Sequence, residues 1–107
     1  MAQVVLNDYY HRLETKCSKI LKEAIYKHNQ CLYKMQKDEN TFCAAGVLWN
    51  NHIEIEEPFA VPLKCYVCAK YDKNLSYDNM YELCVHLNDL HKFRFNVIGE
   101  ILVGLGY

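Results

Sequence analysis

CYVCAKYDKNLSYDNMYELCVHLNDLH, residues 65–91, opens with two cysteines three apart and closes with two histidines five apart. A tetrahedral zinc site takes four soft or borderline ligands, and a CxxC turn delivers two thiolates from one hairpin. Two histidines about one helical turn apart supply the rest. The spacing C-x2-C-x17-H-x4-H therefore predicts zinc held by Cys65, Cys68, His86 and His91. The x4 gap rotates about 140° on an ideal helix, so the last turn must loosen or the helix must end near Asn88. Leu83, three before His86, sits where a zinc finger places a core leucine. The linker of 17 is longer than the x12 of a DNA-reading finger, which makes the unit finger-like and no more.

Cys84 is the competing fourth ligand. On a helix it lies about 200° from His86, and it shares a face with His91 only at about 10 Å along the axis. The histidine pair is preferred over any set using Cys84. Two other readings stay open: no metal at all, with the histidines as capping or core residues, and a redox-active CxxC. The latter lacks the βαβ surroundings of a thioredoxin-type motif. Four protein ligands leave no position for an activated water, so the zinc is expected to be structural. Such sites contribute on the order of 10 kcal/mol to folding at neutral pH. Asp72, Asp78 and Asp89 read as solvated turn and cap residues. No nucleophile–base pair, phosphate-cradling glycine loop or paired carboxylates appear, so no enzymatic activity is expected.

The chain has 107 residues, 51% apolar and 23% charged, which describes a globular chain of one domain, or of one domain carrying a helical extension. At that size a structural metal adds usefully to a modest core. Six cysteines would allow three disulfides in a secreted protein, but MAQVVLNDYYHR does not read as an export signal. No run is long enough to span a membrane. A cytoplasmic location with reduced thiols is expected, and Cys17, Cys31 and Cys43 then read as small core residues.

Residues 1–45 contain no Gly and no Pro. Leu6, Tyr10, Leu13, Cys17, Ile20, Ala24 and Cys31 recur at alternating steps of four and three, interrupted by Lys27, which predicts a long amphipathic helix from about residue 4 to about residue 35. From Tyr9 to Lys37 there are seven basic and two acidic residues, with Arg12, Lys16, Lys19 and Lys22 mostly opposite the apolar stripe. Asp38 to Glu57 reverses the sign, with five acids and no Lys or Arg. Thr41 is expected to cap a short helix through FCAAGVLW, whose Ala44, Ala45 and Gly46 permit close approach. HIEIEE alternates like a half-buried strand, and Pro58 and Pro62 bracket an irregular link. Asp78 or Ser76 would cap a helix striped by Met80, Leu83, Leu87 and Leu90. A last helix over about residues 96–103 carries Val97, Ile98, Ile101 and Leu102 to the core. The expected fold is mainly α with a small β element (α+β): a long helix over 1–37 and a compact, zinc-finger-like helical half over 38–107, forming one folding unit.

Two segments carry a family resemblance. FCAAGVL, 42–48, resembles the C-A-x-G-A-apolar segment of small bacteriophage and prophage proteins of unknown function. VHLNDLHKFRFNVIGEIL, 85–102, resembles their closing H-L-N-D-x-H-x-aromatic signature and the helix after it, with His86, Leu87, Asn88, Asp89, His91, Phe93, Ile98, Gly99, Glu100 and Leu102 in matching order. Several such proteins carry a CxxC upstream, which supports joining Cys65 and Cys68 to His86 and His91. The relatives usually cap the last helix with Ser or Thr where this chain has Arg94. The resemblance implies a phage setting, the host-cell cytoplasm and a compact helical domain, and it brings no activity.

Three functions follow as expectations. One is a zinc-stabilised interaction module that docks on a host or virion protein. Another is nucleic-acid binding through Arg12, Lys16, Lys19 and Lys22, although residues 64–96 hold five basic and four acidic side chains and offer no strong phosphate-binding surface. The third is a homo-oligomer formed through residues 6–24 of the N-terminal helix. A Lys-rich helix face is commonly just solvated, and protein interaction is placed first.

Overall fold

The computed structural model describes residues 17–69 and 75–107. Helix α1, Cys17–Lys27, and helix α5, Phe95–Gly104, form the main helix pair. Cys17, Ser18, Leu21 and Ala24 bury one face of α1, and Phe95, Ile98, Ile101 and Leu102 bury the facing side of α5. Their approach is close because Gly99 carries no side chain. A Cβ there would stand 2.8 Å from the Ser18 carbonyl oxygen and 2.9 Å from Lys22 Cγ. Ser18 N–H donates to the Tyr107 carbonyl at 3.1 Å, tying the start of α1 to the chain's last residue.

The described helix ends at Lys27 rather than near residue 35, and residues 1–16 lie outside the described part. Beyond His28 the backbone bonds leave the helix. Asn29 N–H donates to Asn40 and Cys31 N–H to Phe42, both at 2.9 Å. These bonds make β1, Asn29–Gln30, the parallel partner of β3, Thr41–Phe42, while β2, Gln36–Asp38, pairs antiparallel on the other side of β3. Apolar periodicity continues through Cys31 and Leu32, but tertiary hydrogen bonds outweigh a weak helix preference at His28 and Asn29. Cys17 and Cys43 are buried as expected, whereas Cys31 is only half-buried.

Helix α2, Ala44–Asn50, is the central element, with Ala44, Ala45, Gly46, Val47 and Leu48 all buried. Cys43, not Thr41, caps it: its Sγ accepts from Gly46 N–H at 3.4 Å, and Thr41 is part of β3. HIEIEE forms no strand. Its alternation survives in burial, since Ile55 is buried and Glu54, Glu56 and Glu57 are exposed. Its backbone bonds go elsewhere, with Ile53 N–H donating to Leu48 and Ile55 C=O accepting from Tyr81 N–H.

The strand lies just after, over the segment expected to be irregular. β4, Pro58–Lys64, pairs antiparallel with β5, Ser76–Asn79. In a two-stranded ribbon every strand is an edge, so Pro58 and Pro62 are tolerated. A four-residue helix, α3, Tyr66–Ala69, follows β4. Helix α4, Met80–Val85, is capped by Asn79, whose Oδ1 accepts from Glu82 N–H at 2.9 Å, rather than by Asp78 or Ser76. Glu82 answers by accepting from Asp78 N–H at 2.9 Å. Met80, Leu83 and Leu87 reach the core, and Leu90 stays exposed. The fold is α+β, with helices around α2 and small sheets at its margins.

Candidate metal centre

Each side chain of the CxxC and the histidine pair arrives by a separate local device. Cys65 follows the last residue of β4, and Cys68 lies on α3 three residues on, so the strand end and the short helix turn both sulfurs to one side. The histidines come from the end of α4. There the helix widens into a single π turn over His86–Leu90, closed by His91 N–H donating to the His86 carbonyl at 3.4 Å. A π turn holds more residues than an α turn. It reduces the 140° offset that a five-residue step would otherwise impose, and both imidazoles face the same point. The required loosening of the last turn is therefore present as a specific element.

The four side chains converge tightly. One ligand atom from each of Cys65, Cys68, His86 and His91 lies within 4.8 Å of all the others. Cys68 Sγ is 3.2 Å from His86 Nε2 and 3.3 Å from His91 Nε2, Cys65 Sγ is 3.5 Å from His91 Nε2, and the two Nε2 atoms are 3.0 Å apart. Zinc at about 2.3 Å from sulfur and about 2.1 Å from nitrogen sets the corners of its tetrahedron roughly 3.4–3.8 Å apart. The four shortest contacts fall in or just below that range, the whole set stays within 4.8 Å, and the donors suit zinc chemically. The cluster could hold a metal ion.

The surroundings favour the metal-binding state of His86. Both cysteines are buried and both histidines half-buried. Burial, then the neighbouring His91, lowers the His86 pKa below its usual 6.5, keeping the imidazole neutral. Tyr77 on β5 stands with its phenol oxygen 2.8 Å from His86 Nδ1 and its ring tilted over the imidazole at 4.6 Å. With Nε2 turned to the cluster, Nδ1 carries the proton and donates to that oxygen. On the other side, Phe93 stacks on the His91 ring at 5.2 Å and 14°. Burial, followed by the nearby Cys68 and Cys65, raises the Tyr77 pKa, so the phenol keeps its proton.

Cys84, the rival ligand, is absent from the cluster. It is fully buried in the core, where desolvation and then Cys17 and Cys43 push its thiol pKa well up. Tyr77, Phe93 and the partners of Asn88 escaped the sequence reading of the site. Phe93 had a signal, the aromatic two residues after His91; Tyr77, nine residues before His86, had none.

The rest of the H-L-N-D segment is structural. Leu87 and Asn88 are completely buried. Asn88 Oδ1 accepts from Gln30 Nε2 at 2.7 Å and from Ala44 N–H at 3.0 Å, while its amide donates to the Cys31 carbonyl at 2.9 Å. Asp89 accepts from Asn88 Nδ2 and from Tyr33 N–H. Gln30 accepts from Phe95 N–H at 3.1 Å, so the Gln30–Asn88 pair satisfies the first N–H groups of both α2 and α5. The π turn is thereby bolted to three elements.

Of the basic residues singled out, Arg12 and Lys16 lie outside the described part, as do Leu6, Tyr10, Leu13 and Asp72. Lys19 is half-buried on α1, and Lys22 Nζ pairs with Glu100 at 2.9 Å. The described part of the N-terminal stripe is turned inward: Cys17 and Ala24 are buried and Ile20 is half-buried. No helix among the described residues is long and apolar enough to cross a membrane. Comparison with models of protein families, with curated proteins and with solved structures finds no match for this chain.

Proposed function

We propose that this chain is a small protein-interaction module whose C-terminal half is closed by structural zinc on Cys65, Cys68, His86 and His91. The observation that carries the metal is the meeting of two thiols and two imidazole Nε2 atoms within 4.8 Å, delivered by a strand end, a short helix and a π turn. Two thiolates and two neutral imidazoles fill a zinc tetrahedron and leave no position for an activated water, which favours a structural over a catalytic role. A domain of this size with no catalytic constellation among its described residues serves best as a binding partner. The nucleic-acid alternative is weakened by Lys22, whose charge is already paired with Glu100. A phage setting rests on the resemblance of residues 42–48 and 85–102 alone.

The test is elemental analysis of protein purified without chelator. One zinc per chain, with a large loss of thermal stability in strong chelator, supports the reading. Less than a few tenths of an equivalent, with stability indifferent to chelator, overturns it.

A further inference from the structure

A groove of about 560 Å³ between β2 and the end of α2 is lined by Gln36, Trp49, Asn50, His52, Ile53 and Glu54. Trp49, the only tryptophan of the chain, is 58% exposed, although its helix neighbours Val47 and Leu48 are buried. An open indole in a groove is the kind of anchor on which protein interfaces concentrate their binding energy.

One acid, Glu54, lines the groove itself, and the sequence that follows β2 is rich in acids, with Lys37 on β2 beside Gln36. Asp38, Glu39, Glu54, Glu56 and Glu57 are all exposed, and no Lys or Arg occurs between residues 38 and 57. Among the described residues the ion pairs are Lys22–Glu100 and Lys27–Glu23, and neither uses any of these five acids. Glu54 thus makes no ion pair among the described residues, whereas Asp38 has its pKa lowered by hydrogen bonds to Asn40 and Thr41 and further by the neighbouring Lys37.

The turn that shapes the groove is also strained. His52 has φ 62°, just past the Asn51 cap, with its N–H donating to Trp49 C=O at 3.0 Å and Ile53 N–H to Leu48 C=O at 3.1 Å. This left-handed position after a helix is usually glycine. A histidine there gives up local stability and adds an imidazole to the groove lining beside the indole.

We propose that this groove docks a Lys- or Arg-bearing segment of a partner protein, its cation over the Trp49 ring and paired with Glu54. The docking rests on the protein-interaction reading above and supplies its partner chemistry. An aromatic face attracts cations through its quadrupole, and unpaired carboxylates attract them by charge. The same two features repel acidic peptides and phosphate backbones.

The experiment uses the full zinc-loaded chain, a labelled arginine-rich peptide and a glutamate-rich peptide of equal length. The arginine-rich peptide is expected to bind, to change Trp49 emission and to bind more weakly as salt rises. Trp49→Ala and Glu54→Gln should each weaken binding about threefold to tenfold, with zinc content and circular dichroism unchanged. Equal binding of the glutamate-rich peptide, or unchanged affinity in both variants, overturns the proposal. Trp49 emission that shifts with protein concentration alone also overturns it, by seating a second copy in the groove. A chain that holds zinc but ignores the peptide overturns the docking and spares the metal site. A chain that binds the peptide but takes up no zinc when zinc is supplied overturns the metal site and spares the docking.

Discussion

Tyr77 and His86, on β5 and at the start of the π turn, are joined by a 2.8 Å contact between the phenol oxygen and Nδ1. That contact fixes which imidazole nitrogen faces Cys68 and His91. A metal-bound histidine draws basicity and orientation from the partner of its other nitrogen, and loss of such a partner typically weakens metal binding about tenfold to a hundredfold. Tyr77→Phe is expected to lower zinc affinity by about tenfold while the secondary structure stays intact. Competition with a chromophoric chelator measures it. Affinity equal to wild type would show that the phenol only packs against the ring.

Cys84 and Cys68 should separate cleanly by substitution. Cys84 is enclosed by the core and Cys68 faces both histidines. Cys84→Ser is therefore expected to retain one zinc per chain and to lose about 1–2 kcal/mol, since it buries a hydroxyl in an apolar site. Cys68→Ser should lose the metal and most of the stability of the C-terminal half. Metal content and denaturant unfolding of both variants check the pair. Zinc lost from Cys84→Ser would make Cys84 a ligand.

The convergence of Cys65, Cys68, His86 and His91 and the need for a loosened turn were legible in the spacing alone. Chemistry that depends on four residue types at set intervals leaves a sequence trace. The device that satisfies it left only a partial one. Leu87, Asn88 and Asp89 could be read as letters of a signature, but not as a buried residue, a cap for α2 and an anchor for Tyr33. Those roles depend on partners up to 58 residues away in the chain. The end of α1 failed for the same reason, since Cys31 N–H bonds to Phe42 across a turn that no local pattern foretells. HIEIEE misled in another way. Alternation reports burial, and the strand assignment also required a neighbouring strand, whereas Ile53 and Ile55 bond to Leu48 and Tyr81 in helices.

Acid should strip the metal and weaken the fold together. The folded chain holds His86 below its usual 6.5, by burial first and by His91 second. Above 6.5 both folded and unfolded chains keep the ring neutral and nothing changes. As pH falls below 6.5 the unfolded chain takes up a proton that the folded chain resists, so stability drops until the lowered folded pKa is passed. Zinc acts in the same direction, because thiolate and imidazole must both shed protons to bind. Zinc content should be flat near neutral pH and fall below about pH 6, with the melting temperature falling alongside. Dialysis at stepped pH followed by metal analysis and thermal melts measures both. Full occupancy at about pH 4 would argue against histidine ligation.

Gly46 and Gly104 form a matched test of whether α2 really sits against the 31–35 turn. A Cβ on Gly46 would fall 1.8 Å from the Met35 carbonyl oxygen, and that oxygen also accepts from Cys43 N–H at 3.1 Å. The clash is with backbone already held by a hydrogen bond, so no side-chain rotation relieves it. Gly46→Ala must push α2 away from the turn, breaking the close packing of Ala44, Ala45 and Val47, all buried. The expected loss is about 3 kcal/mol or more. Gly104 ends α5 with nothing within 4 Å of its added Cβ. Gly104→Ala should leave stability unchanged or raise it by about 0.5–1 kcal/mol, because alanine loses less backbone freedom on folding. Urea unfolding of zinc-loaded protein compares the two. A Gly46→Ala protein as stable as wild type would mean that α2 does not rest on Met35. Beside a destabilised Gly46→Ala, a stable Gly104→Ala would exclude a general intolerance of the chain to alanine.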